Sequence, residues 1–198
     1  MAAEPAKRKL PIILASASPR RKQLLEEAGY EFTVVVPDVD ESAYLSEQTS
    51  SQDYTKILAL AKAKSVASRF PAYLVIGSDT IVDFDGEIVG KADDAKDAER
   101  VTRMLFSAPH KVITGVAVVC LEDGIEFVES DTTIVYPRKL TERQIAEHIK
   151  SGQWEGKAGA YGIQERGDDF VERIEGSLTN VMGFPMELVN RLLSLSSV

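Results

Sequence analysis

The chain has 198 residues, 44% hydrophobic and 27% charged, a balance that fits a globular chain with a sizeable core and excludes intrinsic disorder. Its net charge of −8 repels nucleic-acid polymers and argues against a polymer-binding module. A single cysteine, Cys120, and only two histidines, His110 and His148, exclude an intramolecular disulfide and a cysteine-rich metal centre, and argue against histidine-rich metal sites.

In chain order, residues 1–9 (MAAEPAKRK) read as a frayed tail before a single domain over 10–198. No apolar run reaches membrane length, so the cytoplasm is the default location. Residues 10–15 form an apolar run expected to be a strand buried on both faces. Ser18 and Pro19 then suit the cap and first position of a helix that ends at Gly29. A strand is predicted at 32–36, a helix at 53–68 with Ile57, Leu60, Ala61 and Ala67 inward, and a strand at 73–84. Asp85-Gly86 turns into a short return at 87–89, followed by an amphipathic helix at 95–106. Residues 112–121 and 125–136 flank Asp123-Gly124 as a long hairpin. Thr141 and Gln144 form a capping-box pattern for a helix at 141–150. Residues 151–164 are glycine-rich and loop-like, 170–174 suits a strand, and Pro185 opens the last helix. This order predicts a mixed α/β fold rather than strict βαβ alternation.

Several segments carry chemical potential. In Ser16-Ala17-Ser18-Pro19-Arg20-Arg21 a strand runs into a helix N-terminus, where free N–H groups, two hydroxyls and two guanidinium forks suit phosphate. Asp79, in Gly77-Ser78-Asp79-Thr80, interrupts an apolar run, and a buried carboxylate demands a charged partner or a metal. Glu41 follows a strand and gains interest only by meeting Asp79, because Mg2+ is often held by one or two carboxylates plus phosphate oxygens. Lys64 is placed on the apolar face of its helix, where a lysine can also simply snorkel, and Lys62 is expected to point elsewhere. Lys91 follows a short strand and could reach the same mouth. Gln164, ending the glycine-rich stretch, offers an amide edge for a base.

Together these residues resemble the Maf family of nucleotide pyrophosphatases. The resemblance rests on residues 14–21, Val39-Asp40-Glu41, Leu60-Ala61 with Lys64, residues 77–82, Gly90-Lys91, residues 157–164, Gly176-Ser177 and residues 180–185. It implies a twisted mixed β-sheet flanked by helices, two lobes and a central cleft, similar to the inosine-triphosphate pyrophosphatase architecture. It also implies hydrolysis of a nucleoside triphosphate between the α- and β-phosphates with Mg2+ or Mn2+, in a cytoplasmic homodimer that removes unwanted nucleotides or restrains division. Asp79 looks like the proton acceptor, and Arg20, Thr80 and Gln164 look like the trio that marks the dTTP/UTP branch. Glu41 and Asp79 are the expected metal ligands, and Ser16, Ser18, Arg20, Arg21, Lys64 and Lys91 the expected phosphate clamp. Glu165 departs from the glycine that relatives often carry there. The alternatives are a pyrophosphatase for modified purine triphosphates and a nucleotide-sensing division regulator without turnover.

Overall fold

The computed structural model describes residues 10–44, 49–161 and 170–196. Strand β1 (Ile12–Ala15) leads into helix α1 (Pro19–Glu27) and strand β2 (Phe32–Val34), and a 3-10 turn (Glu41–Tyr44) precedes helix α2 (Ser51–Ala67). Then come β3 (Leu74–Phe84), β4 (Glu87–Val89), α3 (Ala95–Leu105), β5 (His110–Cys120), β6 (Ile125–Pro137), α4 (Glu142–Ser151), β7 (Val171–Glu175), α5 (Leu178–Val181) and α6 (Met186–Leu195). Among the described residues the strands form one seven-stranded sheet in the order β2-β1-β3-β5-β6-β7, with β4 added to β3. β1 runs parallel to β2 and β3, and the remaining pairs are antiparallel. The expected mixed sheet with flanking helices is therefore the architecture found.

Alternation along the strands explains the layers. Leu74 and Ile76 of β3, with Val116 and Val118 of β5, pack against Leu24 and Leu25 of α1 and Leu188, Val189 and Leu192 of α6. Val75, Ala117 and Val119 face the other way, onto Ala59, Ala63, Val66 and Ala67 of α2. Both faces are covered, so these strands read as unbroken apolar runs. A second core lies toward the other ends of β3, β5 and β6, where Val82, Val112 and Val135 meet Ala98, Val101 and Leu105 of α3 and Trp154. Packing thus centres on two regions along the sheet.

Unequal strand lengths leave an opening between them. On the edge of β3 opposite β5, β1 pairs with residues 74–77 and β4 with residues 82–84. Residues 78–81, in between, pair on that side with neither strand. Ligand sites of open α/β sheets form where neighbouring strands part in this way. The N-terminus of α1 lies just beyond the end of β1, at the same opening.

The buried face of α2 differs from the predicted one. Tyr54, Leu58, Lys62 and Val66 form one buried row, with Thr55, Ala59, Ala63 and Ala67 beside it, whereas Ile57 is exposed. The cause is close approach. A Cβ on Gly77 would lie 2.2 Å from the Ala59 carbonyl oxygen, and one on Gly115 would lie 2.2 Å from that of Thr55. The helix thus lies almost against the strands, and Thr55, Ala59 and Ala63 face the glycines beside the row of Tyr54, Leu58, Lys62 and Val66.

Candidate active site

The site starts from local capping at α1. Ser18 has extended backbone and its hydroxyl accepts the Arg21 N–H at 3.4 Å, with Pro19 at the first helical position. Ser16 Oγ accepts the Ser18 N–H at 3.1 Å. Arg21 then turns inward. Its Nη1 donates to the Ser78 carbonyl oxygen at 2.7 Å, its Nη2 to Thr80 Oγ1 at 3.0 Å and its Nε to the Gly183 carbonyl oxygen at 2.9 Å. The guanidinium thereby satisfies the part of β3 that β1 and β4 leave open. Burial lowers the Arg21 pKa, against the pull of the Asp79 and Glu41 charges. Thr80 Oγ1 also lies 3.0 Å from Thr114 Oγ1.

Because side chains alternate along a strand, Asp79 projects from the face opposite Ser78 and Thr80, toward α2. There the buried Lys62 ammonium donates to Asp79 Oδ1 at 2.6 Å and pairs with Glu41 Oε1 at 2.7 Å. Two carboxylates from distant segments meet on one cation. Burial raises the Glu41 pKa, but the Lys62 hydrogen bond and charge, with Lys91 and Arg21 adding to them, bring it below the ordinary carboxylate value. Tyr54, two turns before Lys62 on α2, is pushed up by burial and then by the Asp79 and Glu41 charges. Lys91 is exposed and pairs with Ala158 in an isolated antiparallel bridge.

A family profile described as Maf-like protein matches residues 11–195. The chain belongs to the Maf family. A Maf relative from Geotalea uraniireducens, named dTTP/UTP pyrophosphatase, is 44% identical over 189 residues, covering 94% of this chain and 96% of its own. Another of the same name, from Citrifermentans bemidjiense, is 43% identical over 182 residues, covering 91% of this chain and 93% of its own. Among solved structures, the Ham1 protein of Staphylococcus aureus aligns with a TM-score of 0.52 at 13% identity, covering 94% of this chain and 99% of that one. That likeness is one of fold.

The predicted residues of this Maf protein divide into three groups. Ser16, Ser18 and Thr80 are joined through Arg21 at the start of α1, Arg20 is the residue beside it on that helix, and Asp79 lies on the other face of β3 with its charge acting on Arg21. Glu41 is tied to Asp79 through Lys62, and Lys91 acts on Glu41 by its charge. Lys64 does not join them: its ammonium pairs with Glu126 at 2.9 Å, and its side chain is 48% exposed against 11% for Lys62. The structure places Lys62, not the expected Lys64, beside Asp79 and Glu41, because α2 turns the row of Tyr54, Leu58, Lys62 and Val66 inward. The four-residue spacing of Tyr54, Leu58, Lys62 and Val66 is the signal that could have found it. Gln164 and Glu165 lie outside the described residues.

Hard oxygen donors suit Mg2+ or Mn2+, and Glu41 with Asp79 supplies two such side chains on one small volume. Among the described residues no group of three or more His, Cys, Asp or Glu side chains is arranged to hold an ion. Lys62 engages one oxygen of each, so the pair would offer an ion its second oxygens, with the remaining ligands from water and a phosphate-bearing substrate.

Proposed function

We propose that this protein is a nucleoside triphosphate pyrophosphatase that hydrolyses dTTP and UTP to the nucleoside monophosphate and pyrophosphate. The names of the Maf relatives support the reaction and the pyrimidine preference. The observation that carries the reading is the meeting of Asp79, Lys62 and Glu41 beside the unpaired stretch of β3, next to the start of α1.

Glu41 and Asp79 are the side chains that would hold Mg2+ or Mn2+, which when bound neutralises charge on phosphate oxygens. Lys62 takes Asp79 Oδ1, so Oδ2 is the oxygen we assign to orienting the attacking water and taking its proton. The water oxygen bonds to phosphorus as the α–β anhydride bond breaks and pyrophosphate leaves. Lys62, Lys91 and Arg20 draw the triphosphate into an otherwise acidic molecule, while Arg21 holds the strand that carries Asp79. Positioning and charge neutralisation account for most of the rate. Arg20, Thr80 and Gln164 are the residues assigned to pyrimidine preference. The family resemblance further supports a cytoplasmic homodimer that clears unwanted nucleotides.

The test is a nucleotide panel with pyrophosphate detection, run with added Mg2+ or Mn2+ and again with excess chelator. dTTP and UTP should turn over fastest, and chelator should stop turnover. Asp79→Asn should lower kcat by about 10²–10⁴-fold, the usual contribution of a general base, with unchanged circular dichroism. Near-normal turnover by Asp79→Asn, or a preference for purine triphosphates, would overturn the reading.

A further inference from the structure

The chain's two histidines are both buried, and both grip the same short segment. His110 Nδ1 lies 3.1 Å from the Leu105 carbonyl oxygen and its Nε2 lies 2.5 Å from Tyr161 Oη. A carbonyl can only accept, so Nδ1 carries the proton and Nε2 accepts the Tyr161 hydroxyl. His148 Nε2 lies 2.8 Å from the Ala160 carbonyl oxygen and must donate to it. The two imidazoles therefore need opposite tautomers, and each tautomer is dictated by a backbone carbonyl.

The gripped segment is held in an unfavourable backbone shape. Ala160 has φ of 56°, left-handed for a residue with a Cβ, and the preceding Gly159 has φ of 70°. A Cβ on Gly159 would lie 2.8 Å from Val82 Cγ2 and 2.9 Å from Leu105 Cδ1. Such a turn persists only where its surroundings over-determine it, and the two histidines with the Phe106–Tyr161 ring contact do so. Its other side pairs with the segment that carries Lys91. The Gly159 N–H donates to the Gly90 carbonyl oxygen at 2.9 Å, and Ala158 bridges Lys91. Lys91 lies between β4 and Ala92, which packs on the second core, and the pairing with Ala158 adds a hold on this side; its charge falls on Glu41.

We infer that His110, Tyr161 and His148 are positioning residues for the reaction: they brace residues 158–161, and that brace holds Lys91 where it meets the triphosphate. The inference rests on the proposed role of Lys91 in the phosphate clamp. None of the three bracing side chains is assigned to touch substrate.

A double-mutant cycle tests it. Tyr161→Phe keeps the ring against Phe106 and His110 and loses the hydroxyl. It should raise KM for dTTP by roughly two- to tenfold, the worth of one hydrogen bond, with kcat little changed. Lys91→Ala should raise KM by about ten- to a hundredfold, the worth of a charged hydrogen bond. In the Lys91→Ala background Tyr161→Phe should have almost no further effect, because contacts that act through one another are not additive. His148→Leu should behave like Tyr161→Phe, while His148→Gln, whose amide nitrogen can reach the Ala160 carbonyl, should restore KM. Multiplicative effects in the cycle, or an unchanged KM in Lys91→Ala, would overturn the brace. Running the same cycle on dTTP affinity by calorimetry separates the two readings, since an absence of turnover would sink the enzymatic assignment while the brace is still judged on binding.

Discussion

Lys62 and Lys64 stand two positions apart on one helix, yet one is a buried partner of Asp79 and Glu41 and the other a surface partner of Glu126. Exposed pairs are worth about 0–1 kcal/mol, so Lys64→Met should leave turnover within about twofold and stability within roughly 0.5 kcal/mol. Lys62→Met removes the cation that two carboxylates share, and should lower kcat/KM by at least ~10²-fold in the pyrophosphate assay. Arg21→Ala would leave the Ser78 and Gly183 carbonyls short of a donor and is expected to destabilise by about 3 kcal/mol or more in urea unfolding. His110 has a pH signature. Burial lowers its pKa from the ordinary 6.5, so the unfolded chain takes up this proton first as the pH falls. Its contribution is complete above about 6.5 and is lost below it, until the folded imidazole also protonates. The slope of stability against pH between about 6.5 and 5 should therefore flatten in His110→Gln relative to wild type, as read by urea unfolding across that range; parallel slopes would refute the linkage.

At the scale of elements, the legible parts were those governed by neighbours in sequence. The Ser18-Pro19 start of α1, the capping box of Thr141 and Gln144 and the hairpin across Asp123-Gly124 all follow from local chemistry and all form. Thr141→Ala should cost about 1 kcal/mol. The inner face of α2 departs from the periodic expectation because periodicity weighs large apolar residues, while this helix buries Thr55, Ala59 and Ala63 against glycines of the sheet. Adding a methyl there should be severe. Gly77→Ala or Gly115→Ala must drive α2 off β3 and β5, with an expected loss of about 3 kcal/mol or more in urea unfolding. A variant of either kind with wild-type stability would show that the helix does not need this close approach. The four-residue α5 was missed because a single turn has too few residues to show a period; its start is set by Ser177, whose hydroxyl accepts the Asn180 N–H.

Across the whole molecule, the proposed function uses an opening between two cores, left because β1 stops at the level of Gly77 and β4 begins at that of Val82. A triphosphate with Mg2+ bound there should stabilise the folded chain by mass action, by about 2.7 kcal/mol at a hundred times Kd, seen as a higher Tm that chelator reverses. An unchanged Tm in excess dTTP and Mg2+ would show that the folded chain does not bind the nucleotide. The chain by itself determined the mixed α/β class, the element order, the helix caps and the singling out of Asp79 as a carboxylate needing a partner, because these follow from residues near one another or from burial of a charge. Only the tertiary structure decided that Lys62 is that partner, that Arg21 turns inward to hold β3, and that both histidines hold the turn at Ala160 and Tyr161. Those outcomes depend on how closely a helix lies on a sheet and on which distant segments share an edge, and no periodicity along one segment encodes either.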